Sequence, residues 1–166
     1  ISLWLNNYDD IFSDFDPRPY SERSLSEDFL SEIKRASVDK KSGQIELRFL
    51  LNRNSRSFQQ ELLIKKRLKD HFRHHHTDLL KERKIIKKKG INFAIAGSVM
   101  IIISGYIAFL DSPNFLIRSI ETLLTAGGWF TGWTGLDQIY YGTNKIKSDL
   151  DFYDKMNKAQ ITFMSF

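Results

Sequence analysis

INFAIAGSVMIIISGYIAFL, residues 91–110, decides how this chain is read. The stretch carries no charge, and only Asn92, Ser98, Ser104 and Tyr106 are polar. A helix of that length rises roughly 30 Å, the thickness of a bilayer's hydrocarbon core. KERKIIKKK (81–89) runs straight into it. Behind it, Asp111-Ser-Pro-Asn114 is a turn signal, with a proline suited to the first helical position. A second apolar run, Phe115–Leu136, carries Arg118 and Glu121 near its start. Arg118 is placed to snorkel toward the interface, and Glu121, three residues on, to pair with it. The simplest reading is a transmembrane hairpin with spans 91–110 and 115–136. A buried helical hairpin in a water-soluble fold is the alternative.

Whole-chain averages conceal this. The 166 residues are 27% charged and 42% hydrophobic, with mean hydropathy −0.35, pI near 9.4 and net charge +5. That charge is local: residues 1–52 hold seven basic against ten acidic side chains, and 53–89 thirteen against four. Residues 90–135 hold one against two, and 136–166 four against four. Lys81, Arg83, Lys84, Lys87, Lys88 and Lys89 precede the first span, and Lys145 and Lys147 follow the second. The connecting loop has no basic residue, so both termini are expected on the cytoplasmic side. With no cysteine, disulfide scaffolds, thiolate zinc sites, iron–sulfur clusters and a Cys nucleophile are excluded.

The second span is rich in small and polar residues. Glu121, Thr125, Gly128, Gly132 and Gly135 recur every three or four residues and share a helix face. Two roles fit: a helix–helix packing seam, or the wall of a pore in a homo-oligomer with Arg118 and Glu121 as its vestibule. Trp129, Trp133, Tyr140 and Tyr141 read as an interfacial aromatic belt.

Asp16-Pro-Arg-Pro-Tyr20 is a stiffened, extended segment. Ser24 and Glu27 have capping-box spacing, with Ser26 a competing cap, and Leu25, Phe29 and Ile33 form a short amphipathic stripe. A break at Lys40–Gly43 precedes a half-buried strand, Gln44–Leu51, and Gln160–Phe166 reads as another. The two strands are expected to share a sheet, completed by residues 1–12. Residues 55–89 lack Gly and Pro. Phe58, Phe72, Leu79 and Ile86 fall on one heptad register, which predicts a stalk helix packed on copies of itself or on 137–158. Gly90 is a point at which the helix can kink.

The expected fold is therefore an α+β membrane protein: a small cytoplasmic α+β head built from both chain ends, a long basic stalk helix and a two-helix transmembrane hairpin. Its parts are the head at 1–54, the stalk at 55–90, the hairpin at 91–136, and at 137–166 a return helix and strand completing the head.

His71, His74, His75 and His76 offer metal-ligand spacings but no completing ligand, so a polar turn of the stalk is expected, with no metal and no cofactor. Asp9, Asp10, Asp14 and Asp16 are expected to cap helices and pair with the basic stalk. No phosphate loop, nucleophile elbow or zincin motif is present, and no enzyme is expected. Around an oligomer axis, Arg53, Lys65, Lys69 and Arg73 gather charge that invites a phosphate-bearing ligand. Arg18, Tyr20 and Arg23 add the basic and stacking groups that single-stranded nucleic acid uses. A solvated face neutralised by the acidic head is the alternative.

This layout, together with IFSDFDPRPYSERSLSEDFL (11–30), resembles the small membrane effectors of bacterial nucleotide-signalling antiphage systems, most nearly the channel effector of Hailong-type defence. The resemblance implies a homo-oligomeric ion channel, for which a tetramer is assumed, in the bacterial inner membrane. Its opening would depolarise the cell in abortive infection. It further implies a nucleotide or short single-stranded oligonucleotide ligand, made by a nucleotidyltransferase encoded alongside and held by the basic head and stalk. The pore wall would be Arg118, Glu121, Thr125, Gly128, Gly132 and Gly135. The competing reading is a non-conducting two-span scaffold that recruits a cytosolic protein.

Overall fold

Alternating apolar and polar side chains make a strand bury one face. In the computed structural model, which describes residues 1–38 and 45–165, β2 (Glu46–Leu51) does so, with Leu47, Phe49 and Leu51 fully buried and Arg48 exposed. The expected break at Lys40–Gly43, the strand-starting Gln44 and the final Phe166 lie outside the described residues. β2 is the middle of a three-stranded sheet, flanked by β1 (Ser2–Trp4) and β3 (Gln160–Ser165). The sheet thus joins strands from both chain ends, as expected. All pairs are parallel, with Phe49 opposite Leu3 on one side and Phe163 on the other. Parallel neighbours need long crossover connections, and here the helical segments supply them.

Two compact units divide the chain: Ile1–Asp78 with Asp149–Phe166, and Leu79–Ser148. In the first, α1 (Glu27–Val38) buries Phe29 and Ile33 together with the preceding Leu25. Its cap is Ser26, whose Oγ accepts from the Phe29 amide, while Ser24 bonds to the 16–18 turn instead. α2 (Phe58–Phe109) begins in this unit, and Ile64, Leu68 and Phe72 are fully buried there. The expected stalk register fails at Phe58, which is 75% exposed. The buried stripe instead steps by four residues, following the 3.6-residue period of a core helix rather than the 3.5 of a coiled coil. Phe72 packs on Phe152 and Tyr153 of α5 (Lys147–Lys158). Phe29, Phe49, Phe163, Tyr8, Tyr20 and Phe12 form a continuous chain of ring contacts.

In the second unit α2 continues to Phe109 and packs antiparallel on α3 (Phe115–Asp137). A π-helical turn (Gln138–Gly142) and the single turn α4 (Thr143–Lys145) follow. α2 is the one helix among the described residues long and apolar enough to cross a membrane, and only 11% of its most apolar stretch is buried. The expected second span does not reach that standard, because Arg118, Glu121 and the Gly/Thr content dilute α3. Pro113 also falls outside α3: Asn114 is the N-cap, its side chain accepting from the Leu116 amide. Gly90 does not break α2; it sits where a Cβ would lie 2.8 Å from the Gly135 carbonyl oxygen. Its role is close approach.

Candidate functional site

The head's expected ligand residues are already engaged in large part. Arg18 pairs with Asp16, donating from Nε and from the terminal nitrogen at 2.7 Å, and holds that carboxyl far below the usual carboxylate range. Tyr20 stacks on Phe12, and its hydroxyl donates to Asp9 Oδ1 at 3.1 Å. Arg23 donates to the same oxygen at 2.6 Å and to the Ser13 carbonyl. The expectation that the acidic cluster would neutralise the stalk is therefore corrected. Asp9 and Asp16 serve the arginines of their own loop, which the Phe12–Leu25 bridge draws together. Among the other candidates, Arg53 lies exposed in a short 3-10 turn, and Lys65 sits 5.5 Å from the centre of the Phe163 ring. Lys69 is exposed, and Arg73 pairs with Asp70 at 2.8 Å.

Of these seven residues only Arg73 lines the groove of about 570 Å³ that opens along α2. Its other walls are Arg67, Asp70, His71, His74, His75 and Thr77. The rings of His71 and His75 lie 4.3 Å apart, and His75 stacks on Tyr153. Burial, then the like charges of His75, Arg67 and His74, lowers the His71 pKa to about 4. His71 is thus neutral at physiological pH, with its Nε2 buried and without a hydrogen-bond partner. His74 and His76 face Asp78 and Asp154 at 3.1 and 3.5 Å. No group of three His, Cys, Asp or Glu among the described residues is arranged to hold a metal ion.

Sequence spacing gave no sign of a buried polar knot nearby. Glu61, 4% exposed, accepts from Arg56 Nε at 2.7 Å and from the Tyr8 hydroxyl at 3.2 Å. The Tyr8 oxygen in turn accepts from the Ser57 amide, and Arg56 also reaches Ser165. These bonds tie the start of α2 to the 3-10 turn at Tyr8 and to β3. Burial and the Glu61 carboxylate raise the Tyr8 pKa.

In the hairpin, the small-residue face of α3 meets α2. A Cβ on Gly97 would fall 2.4 Å from the Gly132 amide nitrogen and 2.6 Å from the Gly128 carbonyl oxygen. One on Gly135 would fall 2.4 Å from the Ala94 nitrogen and 2.6 Å from the Gly90 oxygen. Ser104 donates to the Glu121 carbonyl at 2.9 Å and also bonds Thr125 Oγ1. Thr125, Gly128 and Gly135 therefore face the other helix of their own hairpin. Gly132 contributes backbone to the seam, while its Cβ direction is open. The partner face went unnoticed in the sequence, although Gly90, Ala94, Gly97, Ile101 and Ser104 repeat the same four-three spacing. Arg118 is not paired with Glu121. It bonds Asp111 at 2.8 Å and the Ser112 carbonyl, because helical side chains lean toward the N-terminus.

Compared with known proteins, the chain matches no family model, no curated protein and no solved structure.

Proposed function

We propose that this chain is an integral membrane protein whose packed helical hairpin anchors the α+β head at the cytoplasmic surface, where the head serves as a docking module for a cytosolic partner. The glycine seam carries the anchor part of this reading. With the small face of α3 turned onto α2, the hairpin is left with a nearly unbroken apolar exterior. Ile102 is 69% exposed, Leu123 71% and Phe130 76%, which lipid tolerates and water does not. Hydroxyls on the exterior close on their own helix: Ser119 donates to the Phe115 carbonyl and Thr122 to that of Arg118. Basic residues before the first span and after the second set both chain ends inside.

Because the chain has no cysteine, single-cysteine labelling tests the arrangement directly. Ser112→Cys should react with an impermeant maleimide on intact cells, and Ser2→Cys only after permeabilisation. Protein extracted by alkaline carbonate, or a Ser112→Cys that reacts only after permeabilisation, would overturn the assignment.

A second reading is the homo-oligomeric channel effector of antiphage defence, gated by a nucleotide or oligonucleotide on the basic face. One observation favours it. A groove of about 190 Å³ beside Gly132, lined also by Ser98, Trp129 and Trp133, has room for a side chain from a helix of another copy. In that case expression alone should depolarise cells, read with a voltage-sensitive dye, and Gly132→Leu should abolish the effect by filling the groove. A normal potential, with the protein shown to be inserted, would leave the anchor reading standing.

A further inference from the structure

Leu80, Arg83, Lys84 and Lys87 recur at i, i+3, i+4 and i+7, so they form one face of α2. In the second unit this face meets Ile139 and Thr143, and together the six line a groove of about 460 Å³. Three cations converge on it and no lining residue is acidic. Like charges at these spacings repel, and among the described residues Arg83, Lys84 and Lys87 make no ion pair that relieves it.

Two close approaches fix the level of this groove on the hairpin. A Cβ on Gly142 would lie 2.9 Å from Ile86 Cγ2, and one on Gly90 would lie 2.6 Å from Ile139 Cγ1. Tyr140 and Tyr141, each 65% exposed, therefore stand level with Lys87–Lys89, directly before the uncharged run begins at Ile91. Within the π-helical turn, Ile139 meets Gly90 while both tyrosine rings are exposed. Cations, outward aromatic rings and an adjoining apolar run together match the depth of phospholipid phosphates.

We propose that the groove of Arg83, Lys84 and Lys87 binds the phosphodiester headgroup of an acidic phospholipid, with Leu80 and Ile139 as its apolar wall. This rests on the membrane reading above. The groove is a specific lipid site rather than a diffuse basic collar: Lys88 and Lys89, equally basic, do not line it.

The test uses the full chain, first reconstituted in phosphatidylcholine vesicles and washed with alkaline carbonate. Loss from the vesicles would remove the membrane reading itself. On retained protein, native mass spectrometry from neutral detergent compares bound dioleoyl-phosphatidylglycerol with dioleoyl-phosphatidylcholine. Wild type should prefer the acidic lipid by at least about tenfold, and each cation removed should reduce the preference about fivefold. R83Q/K84Q/K87Q should abolish it, and K88Q/K89Q should keep it. Equal retention of both lipids by inserted wild type, or equal loss in the two variants, would overturn the proposal. A third arm adds inorganic phosphate and glycerol 3-phosphate. Displacement of the lipid at comparable concentration would reassign the groove to a soluble phosphate; failure to displace it supports the lipid.

Discussion

Gly97 and Gly132 face each other across the hairpin, and the geometry predicts opposite responses to the same substitution. The three atoms nearest an added Cβ at Gly97 are all backbone, the closest at 2.4 Å, and backbone cannot swing aside as a side-chain tip can. Ordinary contact begins near 3.4 Å, so the helices must part by about 1 Å. Overpacking of that kind costs about 1–3 kcal/mol, while Gly→Ala within a helix returns about 1 kcal/mol of propensity. Gly97→Ala should therefore destabilise the hairpin by up to about 2 kcal/mol. At Gly132 the new methyl meets nothing within 4 Å, so Gly132→Ala should be neutral or stabilising by up to about 1 kcal/mol. Unfolding in dodecylmaltoside micelles titrated with SDS, followed by Trp129 and Trp133 fluorescence, reads the difference. Gly127→Ala, which meets only the flexible Met100 Cε, is a second near-neutral control. Equal shifts for Gly97→Ala and Gly132→Ala, of either sign, would refute the seam.

Four further outcomes follow from the contacts described. Arg56→Met should lower the urea midpoint of the head by the equivalent of about 3 kcal/mol, because it leaves the Glu61 carboxylate buried with only the Tyr8 hydroxyl. Glu61→Gln should cost less, since Arg56 is partly exposed and keeps Ser165. The pKa of His71, near 4 when folded against 6.5 in a free chain, makes its contribution complete above pH 6.5 and lost as pH falls toward 4. The full shift corresponds to about 3 kcal/mol; partial solvation of the ring reduces it to about 1–2 kcal/mol. His71→Phe should flatten that part of the stability–pH profile measured by urea denaturation, and an unchanged slope would rule His71 out as its source. Ser104→Ala should weaken the hairpin by about 1 kcal/mol in the same SDS titration, since the hydroxyl bonds both the Glu121 carbonyl and Thr125.

The sheet was legible where side-chain alternation is strict. Leu47 and Phe49 alternate with Glu46 and Arg48, and that pattern alone located β2. Strand direction was not legible, since the same alternation serves parallel and antiparallel neighbours. The first part of α2 misled for a different reason. Lys65, Lys66, Arg67 and Lys69 dominate the composition and mask Ile64 and Leu68, which with Phe72 make the four-residue steps of a core face. Arg18 and Arg23 read as free cations because their partners, Asp16 and Asp9, are brought to them by side-chain geometry that linear spacing does not encode. In the hairpin the small residues of α3 stood out against larger neighbours. Those of α2 lay hidden among isoleucines, since this part of α2 is apolar all round and shows no contrasting stripe.

The strand order has a consequence for how the protein is made. Both hairpin helices precede β3 in the chain, so β3 leaves the ribosome after them. Until then β2 has one unpaired edge, and the apolar faces of Leu47 and Phe49 lack Ile161 and Phe163 beside them. The head therefore closes only after the hairpin has been synthesised. A chain cut short by nonsense mutation or proteolysis would display an open parallel edge for quality-control proteases, so intact heads accumulate only on completed hairpins.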